Sequence, residues 1–356
     1  MSINRLRYLY LLVAALAAAC GDSPGPSGNA PAGEPHVEQI RYANSLGGYR
    51  ALVHVPASYD PQRPLPLVVN VHGCGRTAEQ QVTGTLYGEL ANRESFIVIF
   101  PDYDGAATAA HPLGCWRFYE PAEWQRGVGD ADGIAELTRL AMSWWSVDPE
   151  RVYIVGSSSG ALMTSIMGAS YPDLYAAIGI MAGGPYASTI ADAFQPIGPM
   201  LSHPQLQAQL AALAMGPNAR VVPVLEMHGD QDTVIYPQNG VNAVQQWLMT
   251  NNLVVSGTTS GPFPLMPTSS RVEPNPGGYP YEVDDYRDTG GCLIVRHVRI
   301  QGHDHGWPGA TDDATVPPAI DPGTPSGTEM SWEFFKRYRK SGSAWPCAAA
   351  TPATPQ

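Results

Sequence analysis

The sequence predicts an α/β fold: a mostly parallel central sheet with helices on both faces and an antiparallel hairpin at its N-terminal edge. Nearly continuous apolar runs, the mark of strands buried on both faces, recur at residues 65–73, 96–100, 152–155, 176–182 and 221–227, and residues 293–300 read as a last strand. Segments of helical periodicity lie between most of them, so the strands must be joined by crossovers and pair in parallel. With 356 residues and 44% hydrophobic content, the chain can bury one large core.

Taken in order, residues 1–19 carry Arg5 and Arg7 ahead of an apolar stretch from Tyr8 to Ala19, the length of a signal-peptide core and too short to span a bilayer. The end of that stretch, Leu16-Ala17-Ala18-Ala19-Cys20, admits ordinary signal-peptidase cleavage or a lipobox-like cut that leaves Cys20 as a lipidated first residue. The lipoprotein-type reading is preferred, although Ala17 stands where lipoboxes usually have leucine, because residues 20–36 read as a Gly/Pro/Ser-rich flexible tether. The folded domain is expected at residues 37–340, followed by a low-complexity tail at 341–356. Residues 37–44 and 49–55 alternate polar and apolar side chains around Gly47-Gly48, as a hairpin does. Helices are expected at 132–145, 161–170, 206–215, 241–249 and 330–339. Residues 256–291, rich in Gly, Pro, Ser and Thr, read as the longest irregular segment, and a loop of that length is usually functional or mobile.

Composition narrows the partners. The formal charge is -12, and no basic run is longer than Lys336-Arg337-Tyr338-Arg339-Lys340, so nucleic acid is excluded as a partner. Thirty-four prolines and 15% charged residues suit a loop-rich exported enzyme. Setting Cys20 aside leaves Cys74, Cys115, Cys292 and Cys347, an even number that suggests two disulfides in an oxidising compartment. Three pairings are open; the preferred one joins Cys74 with Cys115, which both follow strands on the same sheet edge, and Cys292 with Cys347.

The chemistry gathers at Gly156-Ser157-Ser158-Ser159-Gly160, where an apolar strand stops and a small-residue helix begins. G-x-S-x-G in that setting is a nucleophile elbow, its glycines leaving room for a turn that lifts Ser158 above the sheet edge. A serine hydroxyl needs a base, and the base a carboxylate. The sequence supplies both in the chain order of an α/β-hydrolase fold: His228-Gly229-Asp230-Gln231-Asp232 after one strand, then His303-Asp304-His305 after the last. Asp230 and Asp232 compete, and the H-G-x-x-D pattern selects Asp232; the plain alternative is that both cap the next helix. His305, ahead of the rigid Gly306-Trp307-Pro308-Gly309 turn, is the expected base, with His303 a solvated loop residue. The backbone N–H groups of Cys74 and Ser159 fall where two oxyanion donors are required. No zinc-binding spacing occurs, and reading residues 73–78 as a dinucleotide fingerprint would leave the elbow, Asp232 and His305 unexplained. Neither a metal nor a cofactor is expected.

Together with Gly114-Cys115-Trp116, Arg126-Gly127-Val128-Gly129-Asp130 and Tyr171-Pro172-Asp173, these motifs resemble the family of polyhydroxybutyrate depolymerases and related feruloyl-type esterases over most of residues 37–340. The resemblance implies Ser158 as nucleophile, Asp232 and His305 as its partners and Cys74 as an oxyanion donor. Two departures from the family pattern stand out: Ser157 lies where leucine is common, and Gly75-Arg76 replaces Thr-Gln. The segment after residue 340 is too short for an appended polymer-binding domain, so weak grip on an insoluble film is expected. Hydrolases of oxidised polyvinyl alcohol, which cleave a β-diketone carbon–carbon bond at a similar serine, are a second implied reading, and feruloyl- or acetyl-type carbohydrate esterases a third. Trp116, Tyr119, Trp124, Tyr186 and Trp307 lie on loops expected around Ser158, with Trp307 and Trp116 the foremost substrate-binding candidates; each has a core role as the alternative. A non-catalytic lipid-anchored binding protein should have lost Ser158, Asp232 or His305, and all three are present.

Overall fold

The computed structural model describes residues 33–104, 110–111, 114–194, 203–309, 320–321 and 323–340. The expected signal peptide, Cys20, most of the tether and the tail lie outside the described residues. Ten strands form one sheet: β1 (His36–Asn44), β2 (Gly47–Val55), β3 (Leu65–Val71), β4 (Ile97–Tyr103), β5 (Val147–Ser157), β6 (Ala177–Met181), β7 (Val224–Gly229), β8 (Ser269–Glu273), β9 (Tyr281–Arg287) and β10 (Leu293–Ile300). Their order is β1-β2-β4-β3-β5-β6-β7-β10-β9-β8. The six strands from β4 to β10 in that order are mutually parallel. The hairpin closes one edge antiparallel, and β9 and β8 close the other.

Strands β4, β6 and β7 are buried at every position, and most of β3 and β10 with the second half of β5 is buried too, because each face has its own core. Ile97 and Ile99 of β4 join the cluster under the helices α3 (Gly129–Trp144), α4 (Ser159–Ser170), α6 (Pro204–Met215) and α7 (Gln238–Ser256), whereas Val98 and Phe100 join the one under α1 (Ala78–Thr85), α2 (Tyr87–Glu94) and α8 (Gly327–Phe335). Successive side chains on a strand point to opposite faces, so continuous apolar sequence is what a doubly covered strand requires. The remaining helix, α5 (Ile190–Phe194), is a single short turn.

The structure corrects the expected long loop at 256–291. That stretch contains β8 and β9, which extend the sheet rather than wander over it. Four of the five β8 side chains are exposed, so the strand has no apolar alternation to read. In β9 two of the four buried positions are acidic: Asp285 forms a two-point ion pair with Arg296 (2.6 and 2.9 Å), and Asp284 lies 3.1 Å from Arg299. Backbone pairing and ion pairs define this edge. Helices α1 and α2 also lie outside the expected set; α1 is short and polar, and its start is fixed by a capping box between Thr77 and Gln80.

The candidate active site

Strand β5 delivers Ser158 to a turn at the N-terminus of α4, with φ of 56° and ψ of -123°. A non-glycine residue held there stores strain on the order of 1–3 kcal/mol, so its surroundings must hold the turn. They do so by close packing. The Ser158 N–H donates to the Met181 carbonyl on β6 at 3.0 Å. A Cβ on Gly160 would run into the carbonyl oxygens of Val71 and His72, and one on Gly156 into that of Gly160. Both glycines of the motif are therefore demanded by the approach of the helix to the sheet.

Strand β7 ends in Gly229, and the next turn carries Asp232. Asp230 is exposed and accepts from the Gly302 N–H at 2.7 Å, tying two loops together. Asp232 is buried; its Oδ1 accepts from the N–H groups of Val234 and Ile235 at 2.8 and 3.0 Å, and its Oδ2 from His305 Nδ1 at 2.7 Å. Burial alone would push the Asp232 carboxyl up, but hydrogen bonds and charge from His228 and His305 outweigh it and hold the group well below the usual carboxylate range. With Nδ1–H committed to Asp232, the Nε2 lone pair of His305 is left for a proton acceptor's work. Gly229 is the reason the two loops meet. A Cβ there would run into the carbonyls of His303 and Asp304, so only glycine lets the histidine loop settle on the end of β7. His303, expected in solvent, is buried instead, its carbonyl accepting from the Gln231 N–H at 2.9 Å. Its ring packs near Tyr279, so the first histidine of the pair is part of the loop's foundation.

The loop after β3 is held from several sides. Cys74 is disulfide-bonded to Cys115, as the preferred pairing expected, and the Gly75 N–H donates to the Gly114 carbonyl at 2.8 Å. His72, fully buried, lies 3.2 Å from Asp102, which also takes Arg50 at 2.7 Å and the Ala78 N–H at 3.1 Å. Cys347, the expected partner of Cys292, lies outside the described residues. Gly73, Cys74, Ser157, Ser158, Ala182, His305 and Trp307 face one cleft of about 170 Å³, together with Arg76 from the loop before α1 and Gln80 and Gln81 from α1. Among the described residues no cluster suited to hold a metal ion occurs.

Residues 51–261 match the family described as esterase PHB depolymerase. The chain belongs to that family. It is 30% identical over 288 residues to poly(3-hydroxyalkanoate) depolymerase C of Paucimonas lemoignei, covering 80% of this chain and 62% of the relative. It is 32% identical over 216 residues to acetylxylan esterase A of Talaromyces purpureogenus, covering 58% of this chain and 54% of that one. The chain thus spans less than two thirds of the length of these curated relatives. Among solved structures, the acetyl xylan esterase from Aspergillus awamori superposes with a TM-score of 0.62 at 21% identity, over 84% of this chain and 99% of the other, a likeness of fold.

Within this esterase family the two departures noted in the sequence both reach the cleft, since Ser157 and Arg76 line it. Burial pulls the Arg76 guanidinium below its ordinary range. The aromatic residues divide. Trp307 lines the cleft with its indole N–H donating to Thr328 Oγ1 at 3.1 Å. Trp116, expected on the cleft wall, is fully buried beneath it: its N–H donates to the His72 carbonyl at 3.0 Å and its ring lies 5.0 Å from that of His72. Tyr186 is buried and donates to the Trp124 carbonyl at 2.6 Å, Trp124 packs against the same core, and neither these two nor Tyr119 is among the residues lining the cleft. Sequence reading placed no role on Glu226, a carboxylate in an otherwise apolar strand run; the structure buries it 2.9 Å from His228 Nδ1, behind Asp232.

Proposed function

We propose that this chain is an exported serine esterase that cleaves hydroxyalkanoate polyester or oligomer esters through an acyl-enzyme. The observation that carries the reading is the 2.7 Å Asp232–His305 hydrogen bond, in the same cleft as Ser158 on its strained elbow. In this mechanism His305 Nε2 takes the Ser158 proton as Oγ attacks the ester carbonyl. The N–H groups of Cys74 and Ser159 stabilise the oxyanion. The intermediate collapses, the alcohol leaves with the proton from His305, and water repeats the sequence to free the acid and Ser158. Trp307 gives the acyl or alcohol chain an apolar wall.

A second reading, an acetyl-type carbohydrate esterase, is supported by the acetylxylan esterase relatives. The β-diketone reading needs a further donor to stabilise an enolate leaving group, and Arg76 is the cleft residue with the charge to act as one. Purified protein assayed under identical conditions on 3-hydroxybutyrate trimers, acetylated xylo-oligosaccharides, methyl ferulate and an alkyl β-diketone separates these. Preferred turnover of the trimers is expected. A kcat/KM on acetylated sugar or diketone about a hundredfold above the trimers, about 2.7 kcal/mol in transition-state binding, would replace the first reading.

Attachment through a lipidated Cys20 belongs to the same proposal. Acyl chains contribute about 0.8 kcal/mol per buried CH₂, and more than one chain anchors stably. Cys20→Ser is expected to move the protein from the membrane fraction to the soluble one. Recovery of wild-type protein from the medium with an unmodified N-terminal Cys20 would show ordinary cleavage.

A further inference from the structure

Behind Asp232 runs a buried file of ionisable groups that the serine mechanism does not use. Glu226, His228 and His297 are all at most 2% exposed. His228 Nδ1 lies 2.9 Å from Glu226 Oε1; its Nε2 lies 2.7 Å from the Ile235 carbonyl and 3.2 Å from Asp232 Oδ2. His297 Nε2 lies 3.0 Å from the other Glu226 oxygen. Helix α7, which carries no titratable side chain, approaches the pair through Gly240; a Cβ there would run into Glu226 and His228. From the loop side the charged neighbour is Asp232 itself, which also takes His305.

Both ring nitrogens of His228 therefore face only acceptors. A neutral imidazole would turn a lone pair on a carboxylate or on a carbonyl in a site without room to turn away, whereas an imidazolium satisfies every partner. We propose that His228 is a permanent buried imidazolium, fixed by Glu226, whose positive charge offsets part of the Asp232 charge and holds that carboxylate in place. His228 and Glu226 are then positioning residues for the Asp232–His305 pair, an inference that rests on the serine-esterase reading. Burial opposes a charge on His228, but hydrogen bonds and charge from Asp232 and Glu226 outweigh it and raise the group to about 10. The Glu226 carboxyl is held below the usual range against its own burial by His297 and His228. Asp232 thus shares Oδ2 between two histidines, one a fixed countercharge and one that exchanges a proton with Ser158.

Two experiments test this. In histidine-labelled protein, nitrogen NMR is expected to show both His228 ring nitrogens protonated from pH 6 to 8.5; one unprotonated ring nitrogen at neutral pH would overturn the proposal, whether or not an ester substrate has been found. For the effect on the site, His228→Gln leaves Glu226 and Asp232 without the countercharge, so the acid limb of kcat/KM against pH on a p-nitrophenyl ester is expected to move up by about one pH unit. Glu226→Gln combined with His228→Gln restores the net charge, and the limb is expected to return toward wild type. A His228→Gln limb that stays in place, or a double variant displaced as far as the single one, would assign the two residues to packing alone. Loss of all activity in the panel above would fail the esterase reading and leave the NMR result standing.

Discussion

At the residue scale, the positions easiest to read were those whose chemistry leaves a local signature. Ser158 announced itself through two glycines, and the structure explains both: each would clash with a neighbouring backbone if it bore a Cβ. Asp232 was selected over Asp230 by spacing, and the structure brings it to His305 while Asp230 ties down Gly302. His303 and Trp116 were misplaced because an imidazole or an indole on a loop reads as available, whereas burial is decided by residues distant in sequence, here Gly229 for His303 and His72 for Trp116. Ser158→Ala, which removes the proposed nucleophile, is expected to lower kcat/KM on p-nitrophenyl esters by at least about 10³-fold, with the thermal midpoint little changed. Asp232→Asn is expected to cost about 10⁴-fold, because an amide N–H₂ facing Nδ1 favours the tautomer that points a proton at Ser158. Wild-type turnover by a purified Ser158→Ala protein would place the chemistry elsewhere.

At the element scale, the legible parts were those stabilised by apolar burial. The hairpin, the parallel strands and the helices that cover them follow from periodicity, since each face of the sheet must be sealed. Strands β8 and β9 were not legible, because Ser269, Arg271 and Glu273 on one strand and Asp284 and Asp285 on the other are polar residues joined by ladder bonds and ion pairs. The element with most leverage on the proposed chemistry is the loop from His72 to Thr77. It leaves β3, passes the proposed Cys74 donor and enters α1, and the Cys74–Cys115 bridge clamps it to the segment that carries Gly114 and Trp116. Removing one well-placed oxyanion donor costs about 10² to 10³ in kcat, so partial loosening should cost part of that. The Cys74→Ser, Cys115→Ser double variant is expected to lose about 10- to 100-fold in kcat with KM changed less than about threefold, and to become insensitive to reductant. Unchanged kcat would mean that the Gly75–Gly114 hydrogen bond and the His72–Asp102 contact hold the donor by themselves.

At the scale of the whole molecule, the sheet places a chain of charges in its own interior, and that choice makes stability depend on pH. Asp232, Glu226, Asp102 and Asp285 are all held below their ordinary values; burial opposes each, and its histidine or arginine partners prevail. A carboxylate depressed on folding contributes stability that is complete above its unfolded value near 4 and is lost as pH falls through the folded one. His228 has the opposite sign. Its folded value near 10 lies above the unfolded value of about 6.5, so its contribution is complete below about 6.5 and drains away as pH rises toward about 10. Glu123 shares that sign for another reason: burial first, and then the charge of Asp130, push it up to about 8, so folding is disfavoured progressively from about pH 4.3 to 8. The two acid-side and alkaline-side losses leave a maximum on the acid side of neutrality. Thermal midpoints of the wild type are therefore expected to peak near pH 5–6 and to decline steadily to pH 10. Glu123→Gln should flatten the lower part of that decline, up to about pH 8, and leave the acid limb in place; His228→Gln should flatten the upper part, from about 6.5 to 10, and also weaken the acid limb, since Asp232 and Glu226 lose a partner that holds them down. A His228→Gln protein that folds and loses stability between pH 6.5 and 10 as steeply as the wild type would show that the buried imidazolium is not what couples this fold to alkali.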